Sequence, residues 1–482
     1  MTAFSRRDFL GLLGAAGTAS GARREQPNIL YIMSDDHASH AISAYGSRIN
    51  RTPQIDRIAA GGMRMDNCFC TNSICTPSRA AILTGQYSHR NGVYTLSDPL
   101  DSGRNNVAKE LQKAGYQTAM IGKWHLHNDP AGFDYWNILP GQGLYHDPVF
   151  IEGGQKKKHT GYCTDLIGDF SLEWLERRDP KKPFFLMSHH KAPHRSWQPA
   201  PKYANLFDGQ TIPEPDNLYD RYEGKARSLA AVKMRVGENN VRADLKTDVP
   251  AGLGGDALRK WAYQLYIKDY LRCVQSVDDN VGRLLDYLEA KDLAKNTIVI
   301  YTSDQGFFLG DHGWYDKRVM YEEALRMPFL IRYPGAIRPG AVNGDIVLNI
   351  DFAPMFLDFA GVTAPAEMQG RSFRPNLEGR TPKDWRRSMY YRYWMHNDRD
   401  HAVPGHYGVR TKEHKLIYVY GKPLGMKGAQ EPATEPAWEL YDLRKDPREM
   451  RNVYHDPAYR NVVDRMKTEL EKAQKEAGDT PA

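Results

Sequence analysis

Cys75 opens the run Cys75-Thr76-Pro77-Ser78-Arg79-Ala80-Ala81-Ile82-Leu83-Thr84-Gly85. This run reads as a helix start, with a small polar residue ahead of it and Pro in the first turn. Cys75 then stands at the end where free backbone N–H groups favour an anion. Arg79 lies one turn further on, so its guanidinium can fold back toward the same anion. An isolated cysteine is more often a small buried apolar residue, and type and place alone leave both readings open. Asp35 and Asp36 are adjacent carboxylates that repel each other unless a cation or bases neutralise them; a plain loop is the ordinary alternative. Asp304-Gln305 offers further oxygen donors, and an all-oxygen set suits Ca²⁺ better than Zn²⁺.

These residues must be brought together by elements far apart in the chain. Asn28 to Met33, Tyr116 to Ile121, Pro183 to Ser188 and Thr297 to Ser303 are short apolar or β-branched runs, as expected of strands covered on both faces. Helical periodicity separates them, most clearly over Trp261 to Ala290, where Leu271, Val274, Val277, Val281, Leu284 and Leu288 recur at three- and four-residue spacing. The expectation is an α/β fold: a large, mostly parallel sheet flanked by helices. Each strand runs into a polar cluster: Ser34-Asp35-Asp36-His37, Gly122-Lys123-Trp124-His125, His189-His190-Lys191 with His194, and Asp304-Gln305-Gly306. Ligand crevices form outside the carboxyl edge of such a sheet, so the four clusters should converge there. Beyond about Pro375 the runs Met389–Trp394, His406–Arg410 and Lys415–Tyr420 predict a smaller antiparallel sheet. A terminal helix over Pro457 to Ala477 follows, with Asp456 as its N-cap. The stretch Gly209 to Gly255 reads as an insertion or long loop.

The bulk properties narrow the function classes. With 482 residues, 41% of them hydrophobic and 26% charged, the chain can bury a large core. A formal charge of +6 is a mild excess without the dense basic stripes of a nucleic-acid binder. Lys156-Lys157-Lys158 reads as a solvated loop, with a glycan-binding patch as its alternative. The five cysteines form neither a disulfide framework nor a CxxC zinc site. Ser5-Arg6-Arg7-Asp8-Phe9-Leu10, a weakly apolar run and small residues near Ser20-Gly21-Ala22 look like a twin-arginine export signal over residues 1–22. No other segment reaches the roughly 18 apolar residues of a membrane span, so a periplasmic or extracellular mature protein is expected.

The run from Cys75 resembles the sulfatase signature C-x-P-S-R-x-x-x-L-T-G at every fixed position. Gly115-Tyr116-Gln117-Thr118 through Gly122-Lys123-Trp124-His125 resembles that family's second signature, G-Y-x-T-x-x-x-G-K-W-H. The resemblance extends from Pro27 to at least Pro334, and it implies an alkaline-phosphatase-like catalytic domain over 27–375 with a C-terminal subdomain over 376–482. It also implies that a formylglycine-generating enzyme oxidises Cys75 to formylglycine. One hydroxyl of the hydrated aldehyde would attack sulfur, and the other would later expel sulfate. Ca²⁺ would be held by Asp35, Asp36, Asp304, Gln305 and the modified Cys75. The family often has Asn where Gln305 stands. Arg79 and Lys123 would hold the charged oxygens, His125 would assist deprotonation of the second hydroxyl, and His194 with Lys317 would protonate the leaving oxygen. His37, His189, His190 and His312 read as structural or substrate-contact residues. Asp304 to Lys317 and Met320 to Pro328 look like sulfatases acting on 6-sulfated N-acetylglucosamine, and His406 to Lys412 is either a pocket wall or a strand. The alternatives are an arylsulfatase, a phosphonate or phosphate diester hydrolase of the same superfamily, or a sulfated-glycan-binding protein that keeps Cys75 as a thiol.

Overall fold

The computed structural model describes residues 26–482; the expected export signal over 1–22 lies outside them. Asn28–Ser34 (β1) is buried at every position after its first. Ile29, Tyr31 and Met33 enter one core while Leu30 and Ile32 enter another. The two-residue period of a strand allows this division when both faces are covered. Gln117–Lys123 (β2), Tyr135–Leu139 (β3), Phe184–His189 (β4) and Thr297–Ser303 (β5) complete a parallel centre in the order β5-β1-β4-β2-β3. The sheet reaches ten strands. Phe329–Arg332, Met63–Met65 and Ala341–Asn343 extend the β5 side, and Val149–Glu152 and Gln155–Lys158 extend the β3 side.

Helices cover both faces. Cys75–Thr84 (α1) and Phe352–Phe359 pack on the Ile29 side. Cys163–Arg177 and Gly255–Ala290 pack on the Leu30 side. The long helix begins six residues before the expected Trp261. All six of its periodic positions from Leu271 to Leu288 are fully buried, each contributing about 1.5–3 kcal/mol relative to exposure.

Ser388–Tyr393, His406–Thr411, His414–Val419 and Ala437–Asp442 form an antiparallel four-stranded sheet. Arg460–Ala477 lies on it through Val463, Met466, Leu470 and Ala473. Asp456 caps the turn Pro457–Tyr459 ahead of that helix, its carboxylate accepting the Ala458 N–H at 3.0 Å. The fourth strand of this sheet was not among the expected ones. Its Glu439 is a carboxylic side chain that is nevertheless fully buried, which masks the apolar pattern; it accepts from Tyr321 Oη at 2.8 Å and from the Ala226 N–H at 2.7 Å.

One local expectation changes, and one open choice is met by its strand alternative. Lys156-Lys157-Lys158 is not a loop but part of an exposed edge strand, where lysines protect the unpaired edge of the sheet. His406 to Lys412 contributes the strand His406–Thr411, with His406 fully buried and its Nδ1 2.8 Å from the Pro404 carbonyl. The stretch Gly209 to Gly255 is mostly turns, with one-turn helices at Arg227–Ala230 and Arg242–Leu245. Among the described residues no helix is long and apolar enough to cross a membrane.

Candidate active site

The carboxyl ends of β1, β2, β4 and β5 meet over the start of α1. Cys75 is the first residue of that helix, and Ile74 before it supplies no side-chain cap. The expected small polar cap is therefore absent, so the first-turn N–H groups receive no side-chain acceptor from the cap position. Cys75 is 1% exposed, with Sγ 3.4 Å from Asp35 Oδ1 and 3.9 Å from Lys123 Nζ. Burial first, and then Asp304 and Asp36, push its thiol up to about 12, so the unmodified side chain stays a protonated thiol and a poor nucleophile near neutrality.

Asp35, Asp36 and Asp304 are fully buried, and one carboxylate oxygen of each lies within 4.8 Å of the others. Asp35 and Asp36 follow β1, while Asp304 follows the neighbouring β5. Three cations offset them. Arg79 donates from Nε to Asp304 Oδ2 at 3.0 Å and from Nη1 to the Lys123 carbonyl at 2.6 Å. Lys123 Nζ donates to Asp35 Oδ2. Lys317 Nζ donates to Asp36 Oδ2 at 2.6 Å. Burial still pushes the Asp36 carboxyl up to about 6 despite Lys317; burial also lowers Lys123, while Asp304 and the contact with Asp35 favour its ammonium form. Lys317 moves the other way: against burial, Asp36, Cys75 and Asp316 raise it.

Gln305 bears directly on whether a cation fits. Its Nε2 donates to Asp36 Oδ1 at 2.5 Å and to Asp304 Oδ1 at 2.7 Å, while its buried Oε1 has no partner among the described residues. A half-turn of the amide would exchange the two atoms and direct an oxygen at the space between the carboxylates. Three carboxylates and one amide oxygen form a hard, all-oxygen donor set that fits a Ca²⁺-type ion.

The two remaining sequence candidates line the same site. His194 Nε2 is 3.8 Å from Asp36 Oδ2, and its Nδ1 is 2.6 Å from the Arg195 carbonyl. Burial, then Lys123 and Lys317, hold its imidazole well below the ordinary histidine range. His125 Nδ1 is 3.4 Å from Thr76 Oγ1 in the first turn of α1, so it approaches from the Cys75 side. Asp36, His125 and Asp316 carry φ values of 67°, 56° and 79°. Left-handed backbone of this kind persists where the surroundings hold it, often at functional sites.

Three of the four other histidines have partners for their side chains, and both ring nitrogens of buried His190 have none among the described residues. His37 Nδ1 is 2.5 Å from Tyr301 Oη, His312 Nδ1 is 2.9 Å from Asp220 Oδ2, and His189 Nδ1 is 3.3 Å from the Lys123 carbonyl. The backbone N–H of buried His190 donates to the Met33 carbonyl at 2.8 Å. Two further residues escaped the sequence reading. Ser78 donates to the Asp304 carbonyl and accepts from Asn349 Nδ2 at 2.9 Å, tying α1 to the end of β5. Gln142 Oε1 accepts from Lys123 Nζ at 2.5 Å. Gln142 follows β3, whose half-buried sequence Tyr-Trp-Asn-Ile-Leu lacks a continuous apolar run. The signal available was its flanking glycines.

Comparison with known proteins gives a consistent picture. A sulfatase family profile matches residues 27–362, and the profile described as the C-terminal part of N-sulphoglucosamine sulphohydrolase matches residues 310–476. The chain is 43% identical to an N-acetylglucosamine-6-O-sulfatase of Bacteroides thetaiotaomicron, across 98% of this chain and 90% of that protein. It superposes with a TM-score of 0.87, at 43% identity, on a protein solved in complex with its substrate D-glucosamine-2-N,6-O-disulfate, covering 94% of this chain and 98% of the other. A phosphonate monoester hydrolase of Agrobacterium radiobacter shares the fold at 20% identity and a TM-score of 0.74, covering 94% of this chain and 96% of the other.

Proposed function

Since the chain belongs to the sulfatase family and is a sulfuric ester hydrolase, we propose that it removes the 6-sulfate of N-acetylglucosamine or glucosamine units in a sulfated saccharide. The substrate follows from the sugars named in the sequence and structure matches at 43% identity. The observation that carries the chemistry is the shared position of Cys75: its sulfur meets Asp35 and Lys123 directly, at the edge of the three-carboxylate cluster.

Asp35, Asp36, Asp304 and Gln305 would hold Ca²⁺ beside residue 75, and the ion with formylglycine made from Cys75 would supply a hydrated-aldehyde nucleophile and neutralisation of the sulfate oxygens. The chain's own side chains do the rest. Arg79 and Lys123 hold charged oxygens beside residue 75, supported by their placement against Asp304 and Asp35. His125, which lies on the Thr76 side of residue 75, would take the proton of the second hydroxyl. His194 and Lys317 converge on Asp36 Oδ2, where they can deliver a proton to the departing sugar oxygen. The enzyme meets its substrate after export by the twin-arginine machinery, and a formylglycine-generating enzyme of the host acts on Cys75.

The test is sulfate release from a panel of N-acetylglucosamine sulfates carrying the ester at the 3-, 4- or 6-oxygen, alongside an aryl phosphonate. Each is assayed with Ca²⁺ and after chelation. The expected outcome is preference for the 6-sulfate, loss of activity on chelation and recovery with Ca²⁺. Preference for another position refutes the assigned substrate, and faster phosphonate than sulfate cleavage refutes the sulfatase assignment.

A further inference from the structure

An ammonium has three N–H donors. On Lys123, which is fully buried, one donates to Asp35 Oδ2 and another to Gln142 Oε1 at 2.5 Å. Cys75 Sγ stands 3.9 Å away as a third neighbour. With two donors committed, the third is directed at residue 75 by elimination. Among the described residues, Gln142 is the one hydrogen-bond partner of that ammonium that comes from neither the carboxylate cluster nor position 75.

The loop that delivers Gln142 is built for the purpose. It leaves β3 as Pro140-Gly141-Gln142-Gly143, with Gly141 and Gly143 at φ 53° and 68° and the Gly143 N–H donating to the Pro140 carbonyl at 3.0 Å. A side chain at Gly143 would come within 2.8 Å of Leu139 Cδ1, so this tight turn requires glycine there. Two residues later Tyr145 Oη donates to the His194 carbonyl at 2.6 Å, and the Tyr145 ring lies 4.7 Å from Lys191 Nζ. One loop therefore grips both the strand-end lysine and the segment that carries His194. A neutral amide suits this position, because it fixes an ammonium without adding a fourth carboxylate to Asp35, Asp36 and Asp304.

We propose that Gln142 is a positioning residue for the sulfatase reaction: it holds the Lys123 ammonium so that its remaining N–H faces the side chain at position 75 and the oxygens bound there. The inference rests on the role given to Lys123 above.

The test compares Gln142→Met, which keeps length and loses the acceptor, with Gln142→Glu, which keeps an acceptor oxygen. Both are assayed on an aryl sulfate beside Lys123→Met and the Lys123→Met/Gln142→Met double variant. Gln142→Met should lower kcat about ten- to a hundredfold while KM moves less than about threefold, as expected when an interaction used in the transition state is removed. Gln142→Glu should recover part of that loss, and the double variant should be no slower than Lys123→Met alone. Melting temperatures of the single variants should stay near that of the parent. Parent-level kcat in Gln142→Met, or a double-variant loss equal to the product of the single losses, overturns the inference while leaving the role of Lys123 standing. Parent-level kcat in Lys123→Met overturns that role and this inference with it.

Discussion

His194 and Lys317 share one oxygen of Asp36, at 3.8 and 2.6 Å, and this shared contact sets different tasks for similar-looking groups. Lys317 is raised by its acidic neighbours and stays charged, whereas burial keeps the His194 imidazole largely neutral until a ligand's charge arrives. A proton donor matters in proportion to how badly the leaving oxygen needs one. His194→Ala should therefore cut kcat/KM on a sulfated sugar, which leaves as an alkoxide, by about 10²–10⁴-fold. The same variant should lose far less on an aryl sulfate with an acidic phenol. Equal losses on both substrates would assign His194 to binding instead. The role of Lys317 was legible only through family resemblance, because nothing in Trp314-Tyr315-Asp316-Lys317 announces that its ammonium meets an aspartate 281 residues away in the chain.

Strand ends, more than any single motif, make this site. β1, β2, β4 and β5 were readable as apolar runs because each is covered on both faces, and their polar sequels were readable as one crevice because parallel strands end on one edge. What the sequence concealed were half-buried or charged elements: β3 with its Gln142 loop, the edge strand of lysines, and Ala437–Asp442 with buried Glu439. The same logic locates a fragile point in β2. Gly122 has φ 99°, and a Cβ there would lie 2.0 Å from the His189 carbonyl of β4. Gly122→Ala forces these neighbouring strands apart directly beneath Lys123. It should lower the melting temperature by a shift corresponding to about 2–4 kcal/mol and remove activity; a variant that melts with the parent would show that the strands tolerate the side chain.

At the scale of the whole molecule, the two sheets are joined by a buried charge network. Glu322, which precedes Phe329–Arg332 of the large sheet, accepts from Arg410 at 3.1 Å and forms an ion pair with Lys415 at 3.0 Å, both on the small sheet. Against burial, Arg410, Lys415 and Arg326 hold its carboxyl well below the ordinary value of 4.5. Below pH 4.5 the unfolded chain takes up the proton first, so this contribution is complete above that pH and is lost as the pH falls through the depressed folded value. Glu322→Gln should cost about 3–5 kcal/mol at neutral pH by leaving buried Arg410 without its carboxylate, since Lys415 keeps Glu449 at 2.7 Å. It should also flatten the loss of stability between pH 4.5 and lower values, measured by denaturant titration across pH; an unchanged slope would remove Glu322 from acid unfolding. The junction matters for function because Lys317 lies on the chain segment that leads to Glu322. All of this structure serves the side chain at position 75, and peptide mass spectrometry paired with a turnover assay tests that claim most directly. The account predicts that active protein carries a Cys75 peptide lighter by about 18 Da than the thiol, the change from CH₂SH to CHO, and that Cys75→Ala folds but releases no sulfate. Sulfate release at the parent rate by Cys75→Ala, or by protein whose Cys75 is entirely thiol, would contradict it.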